Sequence, residues 1–174
     1  MRDREPRLGV DIGRVIIDGS AHPEGGDTAF FTGDTARMLR TPSVPGAFET
    51  IARLVARFDG QAWLVSKCGE RVQRRTLEWL EHHDFAGRTG ITPDHVRFCR
   101  LRPEKAVHCE ELAITHFVDD KLEVHQALRE IVPHRYLFGK QRKTPRWVEH
   151  TPTWAAAEEA ITATLAGAPV GRDR

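Results

Sequence analysis

Cysteine is scarce in this sequence: Cys68, Cys99 and Cys109 are the only three in 174 residues. The odd count and wide spacing exclude a disulfide framework and a cysteine-held zinc site, and they fit a reducing, cytoplasmic setting. No apolar run approaches the roughly 18 residues that span a bilayer, and the charged start Met1-Arg-Asp-Arg-Glu5 lacks the apolar segment of a signal peptide, so no membrane partner is expected. An excess of one charge is missing as well. Lys and Arg number 26 against 25 Asp and Glu, a formal net charge of +1 that supplies no long-range field for drawing the whole molecule onto nucleic acid. Repeats, low-complexity tracts and linkers are also absent. With 40 % hydrophobic residues, enough for a real core, residues 1–174 are therefore expected to form a single domain.

What is present is an alternation. Five short, β-rich apolar runs stand out: Leu8 to Ile12, Ala62 to Ser66, His95 to Cys99, His116 to Val118 and Arg135 to Phe138. Between them the apolar residues fall at helical spacing. Phe48, Ile51, Leu54, Val55 and Phe58 share one helix face, and further helices are predicted from Glu70 to about His83 (on Val72, Leu77, Trp79 and Leu80), from Pro103 to Leu112, from Leu122 to Val132 and from Trp154 to Leu165. Strands alternating with helices imply βαβ crossovers. The expected class is α/β: a Rossmann-like, five-stranded parallel sheet with helices on both faces.

Two stretches interrupt the pattern. Between Gly19 and Gly46, rich in Gly and Pro, Ile16-Ile17 are predicted to pair with Ala29 to Phe31 as a β-hairpin turning at Pro23 to Gly26, a flap over about 14–45. Phe138 to Thr153 reads as a basic surface loop, in which Trp147 among Lys140, Arg142, Lys143 and Arg146 is a candidate platform for phosphates or a stacked base. The core is expected over about 8–166, with 167–174 as a frayed tail.

In open parallel sheets ligands bind beyond the carboxyl ends of the strands, and here those ends are polar. The first strand ends in Asp11-Ile12-Gly13, the second in Ser66-Lys67 and the fourth in Asp119-Asp120, while Lys105 opens the helix that leads into the fourth. Alone, a carboxylate after a strand is an ordinary turn former or helix cap. Two adjacent carboxylates at a buried strand end repel each other unless a cation joins them.

The arrangement resembles the haloacid dehalogenase superfamily over about residues 8–140, through four motifs in order. Leu8-Gly-Val-Asp-Ile-Gly-Arg-Val is similar to the first, with Asp11 in the nucleophile position; Trp63-Leu-Val-Ser66 to the second; Lys105 to the third; Phe117-Val-Asp-Asp-Lys-Leu-Glu123 to the fourth. The resemblance implies a magnesium-dependent phosphatase. Asp11 would attack phosphorus to give an aspartyl-phosphate, which splits one hard displacement into two. Magnesium would be held by Asp11, Asp119, Asp120 and the carbonyl of Gly13. Ser66 and the backbone N–H groups around Lys67 would bind the phosphoryl oxygens, and Lys105 would stabilise the charge that develops there.

The sequence departs from that family's pattern at Gly13, where its phosphatases usually carry a second Asp as general acid and base. A substitute from Asp18, a leaving group acidic enough to need no proton, or a protein without turnover are the alternatives. Glu123 or Val124 stands where the outer support of the metal is expected. The stretch before Phe48 is too short for a helical cap domain, so the site is expected to be open, with Arg14, His22, Phe30, Phe31 and Lys67 near its mouth. In the superfamily this sequence resembles, an open site implies a bulky or nucleotide-like phosphorylated substrate, or a lid from a second copy in a homo-oligomer. Three competing readings stand beside the phosphatase. A non-catalytic scaffold that binds a phosphorylated ligand or partner protein is favoured by Gly13. A phosphoacceptor receiver domain is disfavoured, because it places its acidic pair on the first strand. A dehalogenase would dispense with magnesium.

Overall fold

The computed structural model describes residues 4–166; the predicted tail at 167–174 lies outside the described residues. Six parallel strands, β1 (Leu8–Val10), β2 (Ala62–Lys67), β3 (Val96–Cys99), β4 (His116–Asp119), β5 (His134–Phe138) and β6 (Glu149–Thr151), line up in the order β3-β2-β1-β4-β5-β6. The helices are α1 (Asp27–Thr32), α2 (Thr35–Leu39), α3 (Ala47–Arg57), α4 (Glu70–His82), α5 (Phe85–Thr89), α6 (Lys105–Glu111), α7 (Leu122–Ala127) and α8 (Trp154–Ala166). The fold is thus the expected α/β class. Among the described residues, no helix is long and apolar enough to cross a membrane.

Side chains alternate across the sheet and feed two cores. Ala62 and Leu64 of β2, with Leu8, Val10 and Val118, pack into a larger core with α3, α4 and α8. Trp63 and Val65 join Phe117 in a smaller core under α6 and α7, with Cys109, Val124 and Leu128. Gly9 permits the close approach of β1 to β4, since a Cβ there would stand 2.5 Å from the Phe117 ring. All five apolar residues predicted for one face of α3 are buried, each worth roughly 1.5–3 kcal/mol over exposure. On α4 the prediction for Leu77 fails: it is exposed and Thr76 is buried in its place.

The strand count is corrected from five to six. β6 lies inside the stretch read as a loop, and its three residues are too few and too polar to show an alternation. It is a strand because β5 offers an open edge, with Tyr136 opposite Glu149 and Phe138 opposite Thr151. In the same stretch the Trp147 ring has the guanidinium groups of Arg129 and Arg135 5.4 and 5.5 Å from its centre.

The predicted hairpin is replaced by two short helices. Ala29 and Phe30 are buried side by side while Phe31 is exposed, a pattern that suits a helix and not an alternating strand. Asp34 then caps α2 by accepting the Arg37 N–H at 2.8 Å. Ile17 pairs instead with Gly13 and Ser43. Two buried indoles pin this segment to the core: Trp79 Nε1–H donates to Thr41 O at 2.9 Å and Trp154 Nε1–H to Val15 O at 2.8 Å.

Candidate active site

β1 lies between β2 and β4, so the chain leaves the sheet's centre to one side and later returns to the other. The crevice at such a reversal opens beyond the carboxyl ends of β1 and β4. Asp11 follows β1 directly and its N–H donates to Val118 O at 2.9 Å, which ties the end of β1 to β4. Asp119 closes β4, and Asp120 starts the turn into α7. Asp11, Asp119 and Asp120 each offer a carboxylate oxygen, and those oxygens lie within 4.8 Å of one another.

Lys105, the first residue of α6, enters from the side of the smaller core and is 2 % exposed. Its Nζ donates to Asp11 Oδ1 at 2.9 Å and to Asp119 Oδ2 at 2.6 Å. Asp119 is wholly buried, and its other oxygen, Oδ1, accepts the Lys121 N–H at 2.8 Å. Both oxygens of Asp119 therefore have protein donors, whereas Asp11 and Asp120 also line the cavity above. Burial works against the Lys105 ammonium, but Asp11 and Asp119 outweigh it and hold its pKa above the ordinary value. Burial, with the Asp11 charge adding to it, pushes Asp119 up to about 8 and Asp120 up to about 6. Three carboxylates around one ammonium leave negative charge uncompensated in a buried place. That charge and an all-oxygen donor set fit a small, hard divalent cation.

The cavity has a volume of about 400 Å³. Ser66, at the end of β2, reaches its wall and is 7 % exposed; Lys67, Gly13 and Arg14 line it too. Arg14 holds a left-handed φ of 65° in the tight turn after β1, and its guanidinium pairs with Asp27. The predicted amides around Lys67 are only partly available, because the Cys68 N–H donates to Cys99 O at 2.9 Å. Phe30 and Phe31 line the cavity from α1.

Other predicted residues do not join. His22 is buried away from the mouth, with Nε2 2.7 Å from Arg37 O and Nδ1 accepting the Glu24 N–H at 3.0 Å. Asp18 is not on the cavity wall and bonds with Ser20. Glu123 points to the rim, where it pairs with Arg102, and the buried Val124 packs in the smaller core.

Sequence reasoning missed the groups that hold the β4 end in place. His125 Nε2–H donates to Asp119 O at 2.9 Å, and the Gln141 amide donates to Asp120 O at 2.7 Å and to Phe138 O at 2.9 Å. Gln141 is one residue inside a basic run, and nothing local marks it. His125 falls on the buried face of α7 beside Val124, the one signal that was readable. Val72, Thr76 and Arg102 on the cavity wall carried no signal.

No family model matches this chain, and no curated protein matches it. Solved structures do. A haloacid dehalogenase-like family hydrolase from Xanthomonas campestris is 15 % identical, with a TM-score of 0.60 over 92 % of this chain and 96 % of that one. A dehalogenase with an intermediate complex is 10 % identical, with a TM-score of 0.56 over 86 % and 93 %. A further dehalogenase, also 10 % identical, has a TM-score of 0.51 over 86 % and 93 %. At these identities the likeness establishes the fold: the chain has the haloacid dehalogenase-like fold.

Proposed function

We propose that the protein is a magnesium-dependent phosphomonoester hydrolase working through an aspartyl-phosphate on Asp11. The observation that carries this reading is the buried Lys105 ammonium between Asp11 and Asp119, with Asp120 beside them. Magnesium would be held by Asp11, Asp120 and the Gly13 carbonyl, with Asp119 closing the trio. When bound it would supply positive charge that offsets the repulsion between a carboxylate and a dianionic phosphoryl group.

The chain's own residues divide the remaining work. Lys105 fixes the Asp11 carboxylate through Oδ1 and places an ammonium beside the attack. Asp119, held by Lys105 and by the Lys121 N–H, is a positioning residue for that ammonium. Ser66 and Lys67 sit where phosphoryl oxygens would be received, with Arg14 at the rim. Asp11 forms a bond to phosphorus as the ester oxygen departs with its electron pair; water then attacks phosphorus, releases phosphate and restores the carboxylate. A carbon–halogen displacement needs one carboxylate and no cation, so three converging carboxylates favour phosphate.

Asp11→Asn is expected to lower hydrolysis of phenyl phosphate by about 10³-fold or more, read as phosphate release. Beryllium fluoride is expected to bind the wild-type protein only when magnesium is present. Persistent turnover in Asp11→Asn removes the proposal. The scaffold reading, favoured by Gly13, predicts instead saturable binding of phosphomonoesters without turnover.

A further inference from the structure

The cavity above Asp11 has two unlike walls. One carries the carboxylates, Ser66 and Lys105. The other has an apolar part, made by Ile17, Phe30, Val72 and Phe31, the last with 47 % of its surface exposed, beside Asp27 and Thr76. The two phenyl rings meet edge to face, with centroids 5.6 Å apart at 88°. This wall is held in place from outside the cavity. Arg75 on α4 donates through Nε to Phe30 O and through Nη2 to Gly33 O, both at 2.6 Å, clamping the last turn of α1. An exposed aromatic face on a clamped element, lining the same cavity as the carboxylates and Ser66, is a prepared surface for a flat apolar group.

The carboxyl groups that line the same cavity, Asp11, Asp27 and Asp120, are all committed to other tasks. Gly13, two residues past Asp11, has no side chain, and nothing lies within 4 Å of the place its Cβ would occupy. Asp27 on the wall is tied to Arg14, Asp120 belongs to the acidic trio, and Asp18 is outside the cavity. An alkoxide expelled without a proton is a poor leaving group. A phenolate is far better, since phenols such as the Tyr side chain ionise near a pKa of about 10.

We propose, resting on the phosphatase reading above, that the substrate is an aryl phosphate, whose ring lies against Phe30, Phe31 and Val72 and whose ester oxygen departs as phenolate. Asp11 forms the new oxygen–phosphorus bond, the phosphorus–aryl-oxygen bond breaks, and its electron pair leaves on the phenolate, which takes a proton from water. Water then cleaves the aspartyl-phosphate at phosphorus, giving inorganic phosphate and the free carboxylate. A nucleoside 5′-phosphate, the substrate an open site first suggests, expels an alkoxide and is the contrary case.

Three esters and one acyl phosphate separate the two features. Phenyl phosphate has both the ring and the acidic leaving group, benzyl phosphate only the ring, acetyl phosphate only the leaving group and glycerol 2-phosphate neither. With wild-type protein and magnesium, phenyl phosphate is expected to exceed benzyl phosphate in kcat by about 10²–10⁴-fold, the usual worth of general acid help, with benzyl phosphate still a competitive inhibitor. Phe31→Ala should raise KM for phenyl phosphate about 3- to 10-fold and leave that for acetyl phosphate unchanged. Gly13→Asp, which fills open space with an acid, should narrow the phenyl-to-benzyl ratio. Equal rates on phenyl and benzyl phosphate, or an unchanged KM in Phe31→Ala, overturn the proposal while leaving Asp11 as nucleophile. Turnover surviving in Asp11→Asn overturns the phosphatase reading itself. A tyrosine-phosphorylated peptide with a lower KM than phenyl phosphate would assign the ring to a peptide, and a higher KM to a small molecule.

Discussion

The two ends of β4 bury polar groups in opposite ways. At its start, His116 is 4 % exposed and neutral: burial pushes its pKa down to about 3, and its ring nitrogens lie 2.7 and 2.8 Å from the Thr115 and Thr164 hydroxyls. It stacks on His134 with ring centres 4.4 Å apart. Asp119, at the other end, is kept beside a buried ammonium and two further carboxylates. Discarding charge is the inexpensive way to bury a polar side chain, and the fold uses it at one end of the strand. Keeping the Lys105 ammonium charged at the other, where desolvation is costly, marks that end as the working one.

The strongest way to break this contrast is Lys105→Met. Removing one partner of a buried ion pair leaves its counter-charges uncompensated, and a loss of about 3–5 kcal/mol in urea unfolding is expected, together with loss of turnover. A loss under about 1 kcal/mol would mean that the carboxylates are not held by the ammonium. Magnesium should distinguish the two ends next. At 100 times its dissociation constant it is expected to add about 2.7 kcal/mol of stability to the wild type and to His116→Phe, but not to Asp120→Asn. An equal gain in all three would move the cation elsewhere.

The mildest test is His116→Phe, which keeps the stack and loses the ring hydrogen bonds. It should cost about 1–2 kcal/mol near pH 7 and leave kcat unchanged. Its pH dependence sharpens the contrast. The folded-state pKa of His116 lies below the unfolded one, so its stabilising effect is whole above about pH 6.5 and lost as pH falls toward 3, at up to about 1.4 kcal/mol per pH unit. The variant should flatten that slope in urea midpoints taken between pH 7 and 4.5. Asp119 and Asp120, with raised pKa values, act in the opposite sense in metal-free buffer and lose stability as pH rises toward 6 and 8.

How far the sequence could be read follows from how local each signal is. The five main strands and the apolar face of α3 depend on neighbours a few residues apart, and all appear where periodicity placed them. β6 and the hairpin misreading do not: β6 exists through its pairing with β5, and Ala29 to Phe31 turned helical because Phe30 found the core and Arg75 bound its carbonyl. Asp11, Gly13, Ser66, Lys67, Lys105, Asp119 and Asp120 were nameable because strand ends in a parallel sheet fall on one edge whatever the loops do. His125 and Gln141 were not, since each acts on a main-chain carbonyl that local pattern cannot locate.

From the order of residues alone came the α/β class, the edge on which the chemistry gathers and the side chains gathered there, because alternation and strand termini are properties of short stretches. Folding in three dimensions decided which two carboxylates the ammonium grips, that Asp119 has both oxygens bonded to protein donors while Asp11 and Asp120 face the cavity, and that Phe30 and Phe31 line that same cavity. Those outcomes depend on distances between segments far apart along the chain, and only packing sets such distances.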